Sequence, residues 1–201
     1  MPADHYFSTV PATPDERRTM RVRLAGRERV VETAPGVFSP GRLDLGTEVL
    51  LRTVPAPPPS GDLLDLGCGW GPLALTLGLL APGARVWAVD VNERALDLAA
   101  RNAERLGLAN VTAVGPEDVP ETELAAIWSN PPIRVGKAAL HELLARWLPR
   151  LAPGASAHLV VQRNLGADSL HSWLTGRWPG VLGVERAASA KGYRVLEVRR
   201  A

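Results

Sequence analysis

Two short stretches of the sequence combine acidic, amide and glycine residues in patterns typical of ligand-binding and catalytic sites. The first is DLGCGWG (65–71), in which an acid, Asp65, precedes glycines at every second position. Glycine lets the backbone turn sharply and approach a bound ligand closely. Asp90 follows about 20 residues later, at the end of the apolar run RVWAV, where a carboxylate can accept both hydroxyls of a ribose. These residues predict a site for a ligand that contains a ribose.

The spacing and charge of the glycine stretch indicate which ligand this is. Its pattern is G-x-G-x-G, whereas dinucleotide-binding folds use G-x-G-x-x-G before a helix N-terminus that holds a pyrophosphate. An acid beside the glycines favours a cationic amino-acid group instead. The stretch therefore predicts a site for S-adenosylmethionine (SAM) and disfavours a nicotinamide oxidoreductase. The competing interpretation is a tight turn between a strand and a helix that binds nothing.

The second stretch is NPPI (130–133), which follows the apolar run LAAIWS. The side-chain carbonyl of Asn130 and the backbone carbonyl of Pro131 could together accept the two hydrogens of a planar amino group. The nitrogen lone pair would then point at a methyl donor, and positioning of this kind supplies much of the rate of a transfer reaction. The competing interpretation is a proline turn that ends a strand.

The strands and helices predicted around these two stretches follow a regular pattern. Apolar strand-like runs alternate with helix-like runs, which predicts a parallel sheet covered by helices on both faces. The last two strands have no helix between them and are expected to pair antiparallel, which gives an α/β fold with a seven-stranded, mostly parallel sheet. The predicted strands are 62–67, 85–90, 110–115, 124–130, 156–163, 180–188 and 192–200, and the predicted helices are 72–81, 92–107, 137–151 and 167–178.

The first 60 residues have a different pattern. Residues 1–19 are polar and punctuated by proline, which indicates an extended arm, and residues 20–32 alternate around Ala25-Gly26 as a β-hairpin does. A loop (34–44) and a helix (45–54) follow, before the proline-rich connector PAPPPSG (55–61). We therefore expect an N-terminal extension over residues 1–60 and a main domain over residues 61–201.

The glycine stretch, the two acids and the NPP stretch together resemble the class I SAM-dependent methyltransferases, which have a Rossmann-like fold. In that family the first acid and the glycines hold the methionine end of SAM, and the acid after the second strand holds the ribose. The adenine contact, expected after the third strand, falls on Glu117 or Asp118. The resemblance implies cofactor-binding roles for Asp65, Gly67, Cys68, Gly69, Gly71, Asp90, Val91, Asn130 and one of these two acids.

NPPI resembles the (D/N)-P-P-(aromatic) signature of methyltransferases that act on exocyclic or amide nitrogens. That resemblance implies a catalytic role for Asn130, Pro131, Pro132 and Ile133. Ile133 departs from the signature, because an aromatic residue usually stacks on the target base at this position. An aliphatic side chain can pack on a base but lacks the aromatic contribution.

Further segments look like the small-domain (MTS) type of methyltransferase, and most like the RsmC family of small-subunit rRNA guanine-N2 methyltransferases and its short single-domain relatives. These segments are PGVFS (35–39), LDLGTEVLL (43–51), NPPIRVGK (130–137) and KGYRVLEV (191–198). The resemblance implies transfer to guanine N2 of ribosomal RNA, with substrate contacts from Phe38, Arg134, Lys137 and Gln162. Three other acceptors stay open: a protein glutamine, adenine N6 and a small-molecule amine. A non-catalytic RNA-binding module that retains SAM is a further alternative.

Composition limits the environment and the partners. The net charge of +2 and the isoelectric point of about 9.1 suit an anionic partner such as RNA but are common in other proteins. One cysteine excludes an internal disulfide, and we find no signal peptide and no apolar run of membrane-spanning length. The four histidines lack metal-ligand spacing. We therefore expect a cytoplasmic monomer or homodimer that binds neither a membrane nor a metal.

Overall fold

An antiparallel hairpin forms the first part of the structure. The computed structural model describes residues 16–201, and in it β1 (Arg18–Leu24) pairs with β2 (Arg27–Thr33). The two residues between the strands, Ala25 and Gly26, both have positive φ (47° and 77°), as a type I′ turn requires. The predicted hairpin is confirmed, whereas most of the predicted arm, residues 1–15, lies outside the described residues.

The rest of the described chain forms a seven-stranded sheet with helices on both faces, as predicted. The sheet order is β5-β4-β3-β6-β7-β9-β8; β3 to β7 run parallel, and β9 runs antiparallel to both neighbours. The elements are α1 (Leu45–Thr53), β3 (Asp62–Leu66), α2 (Pro72–Leu80), β4 (Arg85–Val89), α3 (Glu93–Arg105), β5 (Val111–Val114), β6 (Leu124–Ser129), α4 (Lys137–Trp147), β7 (Leu151–Gln162), α5 (Ala167–Arg177), β8 (Leu182–Ala190) and β9 (Tyr193–Arg200).

Two predicted boundaries differ from the structure by more than two residues. The fourth main-domain helix, predicted over 137–151, ends at Trp147 and continues as a 3-10 turn, Leu148–Arg150, because Pro149 has no N–H to extend the α-helical bonding. Strand β7 begins at Leu151 rather than at residue 156. Leu151 pairs with Leu124, and the register then shifts, so an exposed irregular segment around Gly154 is contained within the strand.

The side chains of successive strand residues divide between the two faces of the sheet. On β3, Leu63 packs with α1 and α2, whereas Leu64 and Leu66 pack with α4 and α5. Helix α3 packs against β5 and also against β2, so it holds the hairpin beside the sheet. The N-terminal segment is therefore in contact with both the sheet and its helices, and the division between residues 60 and 61 stays a prediction.

Asn102 on α3 is the polar connection between the hairpin and the glycine stretch. This fully buried side chain accepts a hydrogen bond from the Glu32 N–H (2.6 Å) and donates to the Glu32 carbonyl (2.9 Å) and the Trp70 carbonyl (3.0 Å). One carboxamide thus satisfies three backbone groups from two distant parts of the chain. Buried backbone groups that lose their partners destabilise a fold by about 1–3 kcal/mol each.

We expect Asn102→Ala to lower the free energy of unfolding by roughly 2–5 kcal/mol, because it leaves these backbone groups without partners and opens a small cavity. Urea denaturation followed by circular dichroism measures the change. Asn164→Ala, at an exposed position, is the matched control. A loss no larger than that of the control would contradict the role of Asn102.

Candidate active site

Three parallel strands end at the same edge of the sheet and are tied together there. The N–H groups of Gly67 and Cys68 both donate to the Val89 carbonyl at the end of β4 (2.8 and 2.9 Å). The buried hydroxyl of Ser129, at the end of β6, donates to the Leu66 carbonyl at the end of β3 (2.6 Å). The residues that follow these ends are the glycine stretch, Asp90 and NPPI, so the fold brings both chemical stretches together.

The three glycines have different surroundings. Gly67, Gly69 and Gly71 all have positive φ (78°, 55° and 95°), so a side chain would strain the backbone at each. Gly67 and Gly69 border the cavity at the strand ends. Gly71 instead begins α2, where a Cβ would lie 3.2 Å from the Cβ of Ala99. Gly71 therefore permits close packing of α2 on α3 and does not line the cavity.

Asp65 is a fully buried carboxyl group with an unused oxygen. Its Oδ2 accepts a hydrogen bond from the Ala74 N–H in the first turn of α2 (2.8 Å), whereas Oδ1 has no partner among the described residues. Burial raises the pKa of Asp65 to about 8; the Ala74 hydrogen bond opposes this shift, and the nearby Asp90 adds to it. An unsatisfied buried carboxyl oxygen suits a cationic donor, which would restore the ionised form.

Asp90 is held by the backbone on both sides. Its Oδ2 accepts from the Gly69 N–H (2.9 Å) and its Oδ1 from the Asn92 N–H (3.0 Å). Burial raises the pKa of Asp90, although these N–H donors act against the shift. Asn92 caps α3, and its Nδ2 also donates to the Gly36 carbonyl (2.9 Å). The Val91 N–H also bonds to this carboxylate. The carboxylate therefore keeps a fixed position and retains capacity to accept from a ligand hydroxyl.

Asn130 has a fixed side chain. Its Nδ2 donates to Asp44 Oδ1 (2.8 Å) and to Thr47 Oγ1 (3.1 Å), both at the start of α1. Its Oδ1 receives no hydrogen bond from the described residues, and Asn130 borders the cavity. A carboxamide with both N–H groups engaged leaves an acceptor for a hydrogen-bond donor in the cavity.

The cavity itself has a volume of about 310 Å³ and contains most of the predicted site residues. A smaller adjoining space is bordered by Asp65, Cys68 and Trp70. The predicted residues that line the main cavity are Phe38, Gly67, Gly69, Asp90, Val91, Asn130, Pro131, Pro132, Ile133 and Gln162.

Besides Gly71, four other predicted residues lie outside the cavity or are only partly described. Glu117 points into solvent, with its side chain 82% exposed, and pairs with Arg146, which holds the pKa of Glu117 below its usual value. Asp118 is also exposed, and Pro116 borders the cavity in place of both acids. Lys137 begins α4 at the surface. The backbone of Arg134 forms a 3-10 turn, but its side chain lies outside the described part of the structure.

A model of the methyltransferase small domain matches residues 28–197. The chain belongs to the methyltransferase small domain family. The match starts before the predicted main domain and includes α1, so the elements that contact Asn130 lie within the family's shared region.

Individual relatives of this methyltransferase fall into two groups by length. The uncharacterized protein YbxB of Bacillus subtilis is 30% identical over 203 residues, covering 98% of this chain and 99% of YbxB. Ribosomal RNA small subunit methyltransferase C of Pseudomonas aeruginosa is 35% identical over 94% of this chain but only 58% of its own length. A solved T. thermophilus 16S rRNA N2 G1207 methyltransferase (RsmC), in complex with AdoMet and guanosine, has a TM-score of 0.78 at 25% identity, covering 94% of this chain and 52% of that one. The chain thus spans nearly all of YbxB but little more than half of the two named methyltransferases.

Several cavity residues of this methyltransferase escaped the sequence analysis. Asp44 and Tyr193 both line the cavity. Each lies in a segment that resembled the RsmC family, but nothing marked the individual residue. An N-cap preference could have drawn attention to Asp44, because Asp before an apolar periodic run indicates a helix start. Leu143 and Leu165 also line the cavity, and their apolar type gave no signal.

Two further observations concern the described residues alone. Of the helices within residues 16–201, none has the length and apolar character needed to cross a membrane. Within the same range, no three His, Cys, Asp or Glu side chains are grouped as a metal site would require.

The pKa of Asp65 leads to a prediction about stability. The folded-state value of about 8 lies above the ordinary value of 3.8, so between these values the folded protein keeps a proton that the unfolded chain has lost. The free energy of unfolding should therefore fall as the pH rises through this window. Asp65→Asn removes this contribution, and its stability relative to wild type should improve by about 1–3 kcal/mol between roughly pH 5 and 7.

Urea denaturation of both proteins at the two pH values checks this expectation. Asp118→Asn, at an exposed position, serves as the control and should show no such trend. A constant difference between Asp65→Asn and wild type across the window would mean that Asp65 is ionised throughout.

Proposed function

We propose that this protein is a SAM-dependent N-methyltransferase whose acceptor is the N2 amino group of guanine in small-subunit ribosomal RNA. The observation that carries the proposal is Asn130, whose carboxamide is fixed with an unengaged oxygen at a cavity between the glycine stretch and two aromatic side chains. On this proposal the protein acts where ribosomal RNA is made, in the cytoplasm.

The proposed cofactor site lies on the glycine side of the cavity. The unpartnered, buried Oδ1 of Asp65 suits the ammonium group of SAM, and the fixed carboxylate of Asp90 suits the ribose hydroxyls. Gly67 and Gly69 leave room for the ligand, since a Cβ at either position would meet protein atoms only at about 3.8 Å or beyond. SAM, when bound, supplies a methyl group on a positively charged sulfur, which departs as a neutral thioether.

The chain's own contribution to the reaction is positioning. The oxygens of Asn130 and Pro131 accept the two hydrogens of the target amino group, so the nitrogen lone pair is directed away from them and toward the methyl group. Both acceptors are neutral amides and hold the amino group by hydrogen bonds without taking its proton. After the nitrogen–carbon bond has formed, the proton passes to water. Near-attack geometry of this kind accounts for much of the rate of a bimolecular transfer.

The other side of the cavity suits a nucleobase. Phe38, 37% exposed, and Tyr193 provide aromatic faces, and Gln162, which pairs with Tyr193 across β7 and β9, provides a carboxamide. Stacking on such faces contributes about 1–3 kcal/mol per base. These residues compensate for the aliphatic Ile133 in the motif. Guanosine is the nucleoside bound by the similar T. thermophilus enzyme, and Arg134 and Lys137 are the proposed phosphate contacts.

The experiment is methyl transfer from isotope-labelled SAM to ribosomal subunits and to naked rRNA from a strain that lacks this gene. Digestion to nucleosides and mass spectrometry give the readout, and we expect label in N2-methylguanosine. Label in N6-methyladenosine, in a protein glutamine or in a small amine would show that this group, and not guanine N2, is the methyl acceptor. Retained SAM binding without transfer to any acceptor would identify a non-catalytic SAM-binding protein.

Asn130→Ala separates positioning from cofactor binding. We expect the rate of methyl transfer to fall roughly 100-fold or more, because the amino group loses one of its two acceptors. The dissociation constant of SAM should change little, since Asp65, Asp90 and the glycines are retained. Single-turnover kinetics and calorimetry measure the two quantities. An equal loss of SAM affinity would assign Asn130 to the cofactor instead.

A further inference from the structure

The carboxamide of Asn130 is held by a helix from a distant part of the chain. Both acceptors of its Nδ2, Asp44 and Thr47, lie in the first turn of α1, more than 80 residues earlier in the sequence. Thr47 is buried, and Asp44 borders both the main cavity and the smaller space beside it. The orientation of Asn130 is therefore decided outside the NPPI stretch.

Orientation matters because a carboxamide has two ends of almost the same shape and opposite hydrogen-bonding character. A rotation by 180° would present an N–H donor to an amino group, which is itself a donor. It would also place Oδ1 against the Asp44 carboxylate, which has only acceptors to offer. Thr47 does not discriminate, since a hydroxyl can donate or accept. Asp44 alone selects the orientation that turns Oδ1 to the cavity, through a charge-assisted hydrogen bond.

Asp44 is itself fixed by the start of α1. Its Oδ1 accepts from the N–H groups of Gly46 (2.8 Å) and Thr47 (3.2 Å), so the carboxylate caps the helix and lies at the positive end of the helix dipole. Gly46 is required for this approach: a Cβ there would lie 2.9 Å from Asp44 Oδ1 and 2.8 Å from Cε1 of Tyr193. One carboxylate oxygen thus receives three N–H donors, of which only one belongs to Asn130.

We propose that Asp44 is a positioning residue that locks the Asn130 carboxamide with Oδ1 toward the reacting amino group. This inference rests on the proposed function for its chemical meaning, although the hydrogen bond itself can be tested separately. It gives the N-terminal segment a part in the reaction, because the residue that orients the acceptor comes from α1.

The first test separates orientation from helix capping. Asp44→Ser keeps a capping oxygen, since serine is a good N-cap residue, but its side chain is too short to reach Asn130. We expect kcat to fall about 10- to 100-fold, with little change in the KM for SAM or in the urea midpoint. Glu48→Ser is the control, because Glu48 is an acid in the same turn of α1 but pairs with Arg52 and Lys191. This variant should keep wild-type kcat. Equal kcat for Asp44→Ser and wild type would overturn the proposal.

The second test exchanges the partners. Asn130→Asp alone sets two carboxylates against each other and should reduce kcat at least 100-fold. The double variant Asp44→Asn/Asn130→Asp restores one donor and one acceptor to the pair, and it should recover kcat at least tenfold over Asn130→Asp. The motif signature accepts Asp at this position, so the exchange leaves a usable acceptor in the cavity. A double variant no better than the single one would contradict the coupling of the two residues.

A third readout does not depend on activity. The chain has five asparagines, so selective ¹⁵N labelling gives few side-chain amide signals, and Asn130→Ala identifies the one that matters. In wild type we expect this signal shifted downfield and protected from solvent exchange; in Asp44→Ser it should move toward free-amide values. If the Asn130 amide signal has the same chemical shift in Asp44→Ser as in wild type, the inference is wrong even if kcat has fallen. A wild-type protein without guanine methylation but with the expected signals would instead refute only the proposed function.

Discussion

The hydrogen bonds that join the ends of β3, β4 and β6 are the constraint on which the site depends. The Val89 carbonyl receives two N–H groups from the glycine stretch, and the Ser129 hydroxyl bonds to the Leu66 carbonyl. These contacts lie beyond the regular ladder and fix the chain at the point where it leaves the sheet. Parallel strands gather their carboxyl ends at one edge, and these bonds turn that edge into a rigid frame for Asp65, Asp90 and Asn130.

Within this frame, two polar side chains each have an oxygen on the cavity side that receives no hydrogen bond from the described residues. One oxygen of Asp65 accepts a hydrogen bond and the other has no partner among the described residues. Burial of this carboxyl group raises its pKa. Asn130 has both amide hydrogens engaged and its oxygen unengaged. Buried polar groups without partners destabilise a fold, and functional sites are where such groups are expected. Asp65, which is fully buried, therefore weakens the free protein at a position that a ligand can satisfy.

The sequence predicted the parts of the site whose signals are local. Gly67, Gly69, Asp90 and NPPI are recognisable from short spacings, and strand–helix alternation was enough to place them at one edge. Asp44 could not be found in this way, because its contact with Asn130 spans 86 residues and depends on how α1 packs on the sheet. The adenine contact expected from Glu117 also depended on packing that the sequence does not show. The loop after β5 turns the Glu117 side chain toward Arg146 on α4 and leaves Pro116 at the cavity. Local sequence pattern predicts the elements and the residue types at their ends, whereas packing decides which neighbours orient those residues.

A crystal structure of the protein with S-adenosylhomocysteine and guanosine would show directly how the target amino group is held. We expect the N2 amino group within hydrogen-bonding distance of Asn130 Oδ1 and the Pro131 carbonyl, while Nδ2 of Asn130 keeps its bond to Asp44. The ligand's ammonium group should meet Asp65 Oδ1. A guanine bound with another edge toward Asn130, or an Asn130 released from Asp44, would contradict this expectation.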